Sequence, residues 1–228
     1  MEQSHGKIFL ADDRGLTETN LERRYSTFNF AGYYNEHKQG SGNLYTFNDE
    51  MLAAGASVQQ QVRFGGYMII LPVTGAVQIT IGAQTHEADA GEVLLLPIVE
   101  NEVFTLTNPY PENWVNFIVM QIKADAATLA SAQNFAFDID GNPDSLVAAV
   151  DNDALPFALH IGRFAGRTEA VYNLKDEQSQ VFAFVIAGAF ELQNRLLHER
   201  DGLALWHTQQ VEVEALSNNA VLLLMELK

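Results

Sequence analysis

Cysteine is absent from the 228-residue chain. Disulfides, thiolate nucleophiles, thiolate metal ligands and thiol redox switching go with it, and the compartment stays open because a chain without thiols tolerates oxidising and reducing surroundings alike. Basic residues are scarce: 13 Lys and Arg stand against 29 Asp and Glu, a formal net charge of -16. Phosphate backbones and anionic lipid surfaces are repelled by such a chain, and no local basic run offsets the excess, so nucleic acid is not an expected partner. Long apolar runs are missing as well. The longest, such as Tyr67–Val73 and Ala220–Met225, fall far short of a membrane span, and the polar stretch Met1 to Asn20 holds no apolar run of a secretory leader. The expected location is therefore cytoplasmic, with no membrane attachment. No Gly-rich phosphate loop occurs, and no Gly-x-Ser-x-Gly elbow presents a serine nucleophile.

What remains is an apolar, globular composition, 47% hydrophobic and 10% aromatic. Apolar and polar residues alternate in Val77-Gln78-Ile79-Thr80-Ile81 and in Val211-Glu212-Val213-Glu214-Ala215, the period of half-buried strands. Short continuous apolar runs at Tyr67–Val73, Val93–Leu96, Phe117–Met120, Val181–Ala187 and Ala220–Met225 read as buried strands, several set against Gly or Pro. Turn chemistry falls between them at Gly65-Gly66, Gly82, Asp89-Ala90-Gly91, Asn108-Pro109, Asp140-Gly141-Asn142-Pro143 and Asp201-Gly202. Helix is scarce, and the best candidate is the Ala-rich segment Ala124–Gln133, with Asp125 placed early where its charge favours a helix N-terminus.

The two halves resemble each other at a nearly constant offset of 112 to 113 residues. Val73-Thr74-Gly75-Ala76-Val77 corresponds to Ile186-Ala187-Gly188-Ala189-Phe190, and His86-Glu87-Ala88-Asp89 to His198-Glu199-Arg200-Asp201; a Gly and an apolar strand follow each His-Glu-x-Asp. Two copies of one unit of short antiparallel strands predict two closed jelly rolls, since closure protects edge strands. The expected division is a first barrel over residues 1–123 carrying an N-terminal aromatic segment, a linker over 124–134, and a second barrel over 135–228.

The first half resembles the pirin family of bicupins, in its divergent bacterial branch. The resemblance lies in the aromatic opening Arg24-Tyr25-Ser26-Thr27-Phe28-Asn29-Phe30-Ala31-Gly32-Tyr33-Tyr34-Asn35 and in Gly42-Asn43-Leu44-Tyr45-Thr46-Phe47-Asn48-Asp49-Glu50-Met51-Leu52-Ala53-Ala54-Gly55. The strand ending in Gly75 and the turn and strand Asp89-Ala90-Gly91-Glu92-Val93 follow in the same order, so that the likeness covers residues 22 to 123, the second half matching in architecture. The resemblance implies an all-β bicupin, two tandem jelly-roll barrels with little helix. It also implies an Fe site in the first barrel, held by a His-x-His pair, a later His and a Glu two residues on, together with oxygenase activity of the quercetin-dioxygenase kind and association with partner proteins.

This chain departs from that pattern at every ligand. Counted back from Gly75, the His-x-His positions fall on Gln61 and Arg63; counted on from Gly91, the later His and Glu fall on Phe104 and Leu106. A guanidinium has no lone pair to give, and Phe and Leu carry no donor atom. No metal cofactor is therefore expected, Fe or another divalent ion being the alternative if ligands lie elsewhere.

If the register holds, Gln61 and Arg63 share one strand face inside the barrel, with Tyr67 further along, and Gln61, Arg63, Tyr67, Phe104 and Leu106 line a ligand pocket. An Arg there suits a carboxylate or phosphate on a small-molecule anion. It is equally satisfied by an internal Asp or Glu, and a register shifted by one residue would turn it to water. The paired His86 and His198 motifs read as turn chemistry rather than metal sites. His160 and His207 flank strands of the second barrel, where Glu169 or Glu191 could join them, without a ligand spacing. The function expected is that of a small-molecule-binding or regulatory protein interacting with a partner, the alternative being a metal-dependent dioxygenase.

Overall fold

In a computed structural model the alternating and continuous apolar runs all become strands. It describes residues 4–125 and 127–228, which form twenty-one strands and one 3-10 turn. No helix among the described residues is long and apolar enough to cross a membrane. The chain divides into two compact units, Arg14–Ala136 and Phe137–Lys228, the second of which also holds the N-terminal residues up to Asp13.

The first strand, β1 (His5–Phe9), pairs within that second unit. The Arg14–Ala136 unit, the first barrel, contains β2 (Gly15–Glu18), β3 (Glu22–Ser26), β4 (Leu44–Leu52), β5 (Ser57–Gln61), β6 (Gly66–Thr74) and β7 (Val77–Ile81). It continues with β8 (Gln84–Ala88), β9 (Glu92–Ile98), β10 (Val103–Thr107), β11 (Val115–Lys123) and β12 (Gln133–Ala136). Its seven-stranded sheet runs β12-β9-β6-β11-β4-β3-β2, and its four-stranded sheet β5-β10-β7-β8. Leu52, Met68, Ile70, Val77, Ile79, Leu94, Leu96, Phe104, Leu106, Phe117 and Val119 form one core drawn from both sheets, the arrangement of a closed jelly roll. Residues of the opposite parity, such as Ile69, Leu71, Leu95 and Ile118, are buried too. Burial on both faces explains why these strands read as continuous apolar runs rather than alternating ones.

The second barrel contains β13 (Val147–Asp151), β14 (Phe157–Phe164), β15 (Glu169–Asn173), β16 (Gln180–Ala187) and β17 (Phe190–Leu192), then β18 (Arg195–Leu197), β19 (Gly202–Trp206), β20 (Gln210–Ala215) and β21 (Ala220–Leu227). Its sheets run β1-β19-β16-β21-β14-β13 and β15-β20-β17-β18. Strand for strand this is the order of the first barrel without β2. Gly75 and Gly188, matched in the repeat, both turn with positive φ, 72° and 78°, where only glycine is unstrained.

Two details depart from the sequence reading. Residues 5–9 join the C-terminal barrel through β19 instead of the first barrel, because the edge of β19 is the open position equivalent to that taken by β12. The segment Ala124–Gln133 is not helical: Ala126 lies outside the described residues, and the rest runs without regular structure into β12. Its backbone groups are satisfied by the barrel instead, Ala124 N–H donating to the Gly65 carbonyl at 3.1 Å and Thr128 N–H to the Tyr67 hydroxyl at 2.7 Å. Those tertiary bonds override a modest helix propensity.

Candidate functional site

Side chains alternate along β3, β4 and β5, and in each strand the parity that faces the core carries polar residues toward one end. In β4 this row runs Thr46, Asn48, Glu50 and then the core residue Leu52. Cross-strand pairing sets Arg24 opposite Glu50 and Ser26 opposite Asn48, and, on the other flank, Gln121 opposite Thr46. Gln60 of β5 joins them from the facing sheet. The interior of the first barrel is thus apolar at one end and polar at the other.

Glu50 is the centre of the polar end and is almost wholly buried. Gln60 Nε2 donates to its Oε2 at 2.8 Å, and Asn48 Nδ2 to its Oε1 at 3.1 Å. Burial pushes its carboxyl up to about 7, a rise that the field of Arg24 and the two amide bonds only partly oppose. Arg24 gives its Nη atoms to Glu22 at 3.4 Å and Thr17 at 3.3 Å, and its guanidinium lies over the Phe30 ring at 4.9 Å. Thr46 donates to Gln121 Oε1 at 3.0 Å. Four buried atoms of this group have no partner: Arg24 Nε, Asn48 Oδ1, Gln60 Oε1 and Gln121 Nε2.

Arg24, Thr46 and Gln60 open onto a cavity of about 930 Å³. Aromatic rings of Phe30, Tyr33, Tyr34, Tyr45 and Phe64 form much of its wall. Tyr45 donates to the Phe64 carbonyl at 2.8 Å and meets that ring edge-on at 5.1 Å, and burial pushes its hydroxyl up to about 12.

The five residues expected to line a pocket are not brought together. Gln61 and Arg63 are exposed, while Gln60 and Val62 between and beside them point inward. The register is shifted by one residue from the sequence alignment, and a shift of one exchanges every inward side chain for an outward one. Gln61 and Arg63 still reach the rim of the cavity, Gln61 donating to the Asn101 carbonyl at 3.1 Å and Arg63 lying over Phe64 at 5.0 Å. Phe104 and Leu106 sit in the apolar core, opposite Gln60 and Val58 on β5. Tyr67 is buried on the other face of its strand, bonded to Thr128 Oγ1 at 2.9 Å. No periodic signal marks Glu50 and Gln60 in the sequence, because Glu50 ends the polar run Asn48-Asp49-Glu50 and Gln60 is the middle of three consecutive carboxamides.

These donors do not fit an Fe or other divalent ion. The core-facing residues of β5 and β10 offer one carboxamide and apolar side chains, Glu50 already accepts two amide bonds, and Glu22 pairs with Arg24. Among the described residues no group of three or more His, Asp or Glu is placed to hold a metal.

The second barrel has its own buried polar end. The Tyr172 hydroxyl donates to Glu226 Oε2 at 2.6 Å, Lys175 N–H donates to Oε1 at 3.0 Å, and the His160 ring meets Tyr172 edge-on at 4.8 Å. Burial lowers the proton affinity of His160, and its Nδ1 has no partner. His207, Glu169 and Glu191 are exposed and do not join it. The second His-Glu-x-Asp is turn chemistry: Asp201 accepts the N–H of His198 at 2.9 Å and that of Ala11 at 2.7 Å.

Two closed sheets of one strand order, each around its own core, define a bicupin. Residues 150–227 match the family model described as "Quercetinase C-terminal cupin domain". No curated protein matches the chain. Among solved structures, the bacterial pirin YhhW from Escherichia coli in complex with nickel(II) superposes with a TM-score of 0.79 at 18% identity, covering 98% of this chain and 99% of the other. YhaK from Escherichia coli gives 0.73 at 17% identity, covering 90% and 93%. A quercetin 2,3-dioxygenase from Acinetobacter baumannii gives 0.75 at 9% identity, covering 100% and 87%. In architecture the chain is a bicupin, similar to these pirins, and its C-terminal barrel carries the family match.

Proposed function

We propose that this bicupin binds a small organic molecule at the polar end of its first barrel, and that it does so without a metal there. The supporting observation is the Glu50–Gln60–Asn48 network, which gives the interior an amide-bonded carboxyl beside a large aromatic-walled cavity. Such a protein works by holding a ligand, as a carrier or as a regulator that responds to it.

The competing reading is a metal-dependent dioxygenase. The description of the matched family model and the name of the Acinetobacter baumannii enzyme favour it. Elemental mass spectrometry on tag-free protein, produced with added Fe, Ni, Mn and Cu, separates the two. The binding reading expects substoichiometric metal and an unchanged melting temperature in chelator. Stoichiometric metal that disappears in Glu50→Gln, with flavonol consumption that chelator abolishes, would establish the oxygenase instead.

A further inference from the structure

The cavity of the first barrel has a composition that selects among ligand classes. Five carboxamide residues line it, Asn29, Gln59, Gln60, Gln61 and Asn101, of which Asn29 and Gln61 also bond to backbone groups of Asn35 and Asn101. Each carboxamide offers both donors and an acceptor, which suits a hydroxyl group, itself donor and acceptor at once, better than it suits a carboxylate or a phosphate. The charged residues at the wall cancel, Glu22 and Glu100 against Arg24 and Arg63. Arg24 is held by Glu22 and Thr17 and covered by Phe30, and Arg63, stacked on Phe64, presents its fork at the exposed rim, where water and salt screen its charge. The small-molecule anion expected from the sequence is thus left with a single, solvent-screened anchor at the rim.

Two unpartnered atoms sharpen the choice. Gln60 is 9% exposed and Arg24 7%, both residues line the cavity, and Gln60 Oε1 and Arg24 Nε, sealed just behind its wall, have no hydrogen-bond partner. A buried acceptor and a buried donor left open each cost free energy, which a turn of the side chain toward a ligand O–H or oxygen in the cavity would relieve. Tyr33 and Tyr34 supply ring faces against which the C–H face of a pyranose packs, and Tyr34, 75% exposed, stands free at the mouth.

We infer that the cavity is a binding site for a neutral saccharide of one or two rings, its hydroxyls held by the carboxamides and its apolar face by the tyrosines. A cavity of about 930 Å³ accommodates a ligand of that size. The inference rests on the small-molecule reading above and commits it to one chemistry.

The test is titration calorimetry and saturation-transfer NMR on the full chain with methyl α-glucoside, galactose, N-acetylglucosamine, maltose and cellobiose, with benzoate and catechol as anionic and phenolic probes. At least one saccharide is expected to bind saturably, and to weaken about tenfold in Tyr34→Ala and in Gln59→Ala, a loss equivalent to about 1.4 kcal/mol. Both residues are exposed at the rim, so the variants fold as the parent does, which an unchanged melting temperature verifies. Saturable binding of benzoate or catechol with no saccharide bound overturns the saccharide assignment and leaves the small-molecule reading standing. Binding of none of the seven probes overturns both. Saccharide binding indifferent to both variants places the site elsewhere and overturns the assignment to this cavity.

Discussion

Removing a carboxyl from water without a cation in hydrogen-bond contact raises its affinity for a proton, and Glu50 is such a group. Its folded-state value of about 7 lies above the usual 4.5. The unfolded chain releases the proton first as pH rises, so Glu50 favours the folded state below about 4.5, and that contribution is lost progressively up to about 7 and stays lost above. The shift corresponds to a loss on the order of 3 kcal/mol. In Glu50→Gln the new amide can donate to Asn48 Oδ1 or Gln60 Oε1, which have no partner, so thermal unfolding of this variant is expected to lack that loss between pH 4.5 and 7.5 and to exceed the parent in melting temperature at pH 8. Equal slopes for the two proteins would refute the assignment. In the second barrel the sign is opposite. His160 is held neutral by burial, so its contribution is intact above its unfolded value of about 6.5 and is lost as pH falls below it. There Tyr172→Phe removes the 2.6 Å bond to Glu226 and leaves that buried carboxylate to backbone donors, a change expected to cost about 1–3 kcal/mol in urea denaturation.

At the scale of the strand, register decides what a residue is for. Period and turn chemistry located β6, β7, β9, β11, β16, β20 and β21 in the sequence, because alternation and apolar runs are properties of single strands. Which face of β5 points inward is not such a property. Its sequence, Ser57-Val58-Gln59-Gln60-Gln61, has three carboxamides in a row, so no apolar alternation distinguishes inside from outside. Partners on β10 and β4 settle it, through Phe104 opposite Gln60 and the bond from Gln60 to Glu50. The expected Gln61 and Arg63 accordingly stand at the cavity rim, on the opposite side of the strand from the inward Gln60. A paired substitution measures the register: Val62→Ala should lower stability by about 2 kcal/mol, the cost of a buried truncation, whereas Arg63→Ala should fall within about 0.5 kcal/mol of the parent. Comparable losses from both would place Arg63 inside. The Ala124–Gln133 segment teaches the same lesson for helices, since its propensity is local and the Tyr67 and Gly65 groups that bind it lie some sixty residues earlier.

At the scale of the molecule, the repeat visible around Gly75 and Gly188 extends to the strand order of the two barrels, with β2 added in the first and one exchange. The position that β12, from the end of the first barrel's own segment, fills beside β9 is filled beside β19 by β1, from the start of the chain. A pattern of apolar residues within β1 could not reveal this, because His5-Gly6-Lys7-Ile8-Phe9 has only two large apolar residues, adjacent and not alternating, and its partner lies almost two hundred residues away. The pairing is intimate all the same: a Cβ on Gly6 would meet Leu205 Cδ2 at 2.8 Å and the Ala204 carbonyl oxygen at 2.9 Å. Ala11 N–H adds its bond to Asp201 just beyond the strand. A chain beginning at Arg14 would therefore leave the five residues of β19 with an open edge, the exposed backbone row that invites pairing with another molecule. Calorimetry of that truncated chain is expected to show a lowered transition, and size-exclusion chromatography a concentration-dependent association that the parent lacks. Gly6→Val in the full chain should reproduce the lowered transition by expelling β1, while binding at the first barrel, whose strands and cavity lie within Arg14–Ala136, should persist in both proteins. Retention of the parent's melting temperature after truncation would mean that β1 is an ornament of the second barrel and not part of its sheet.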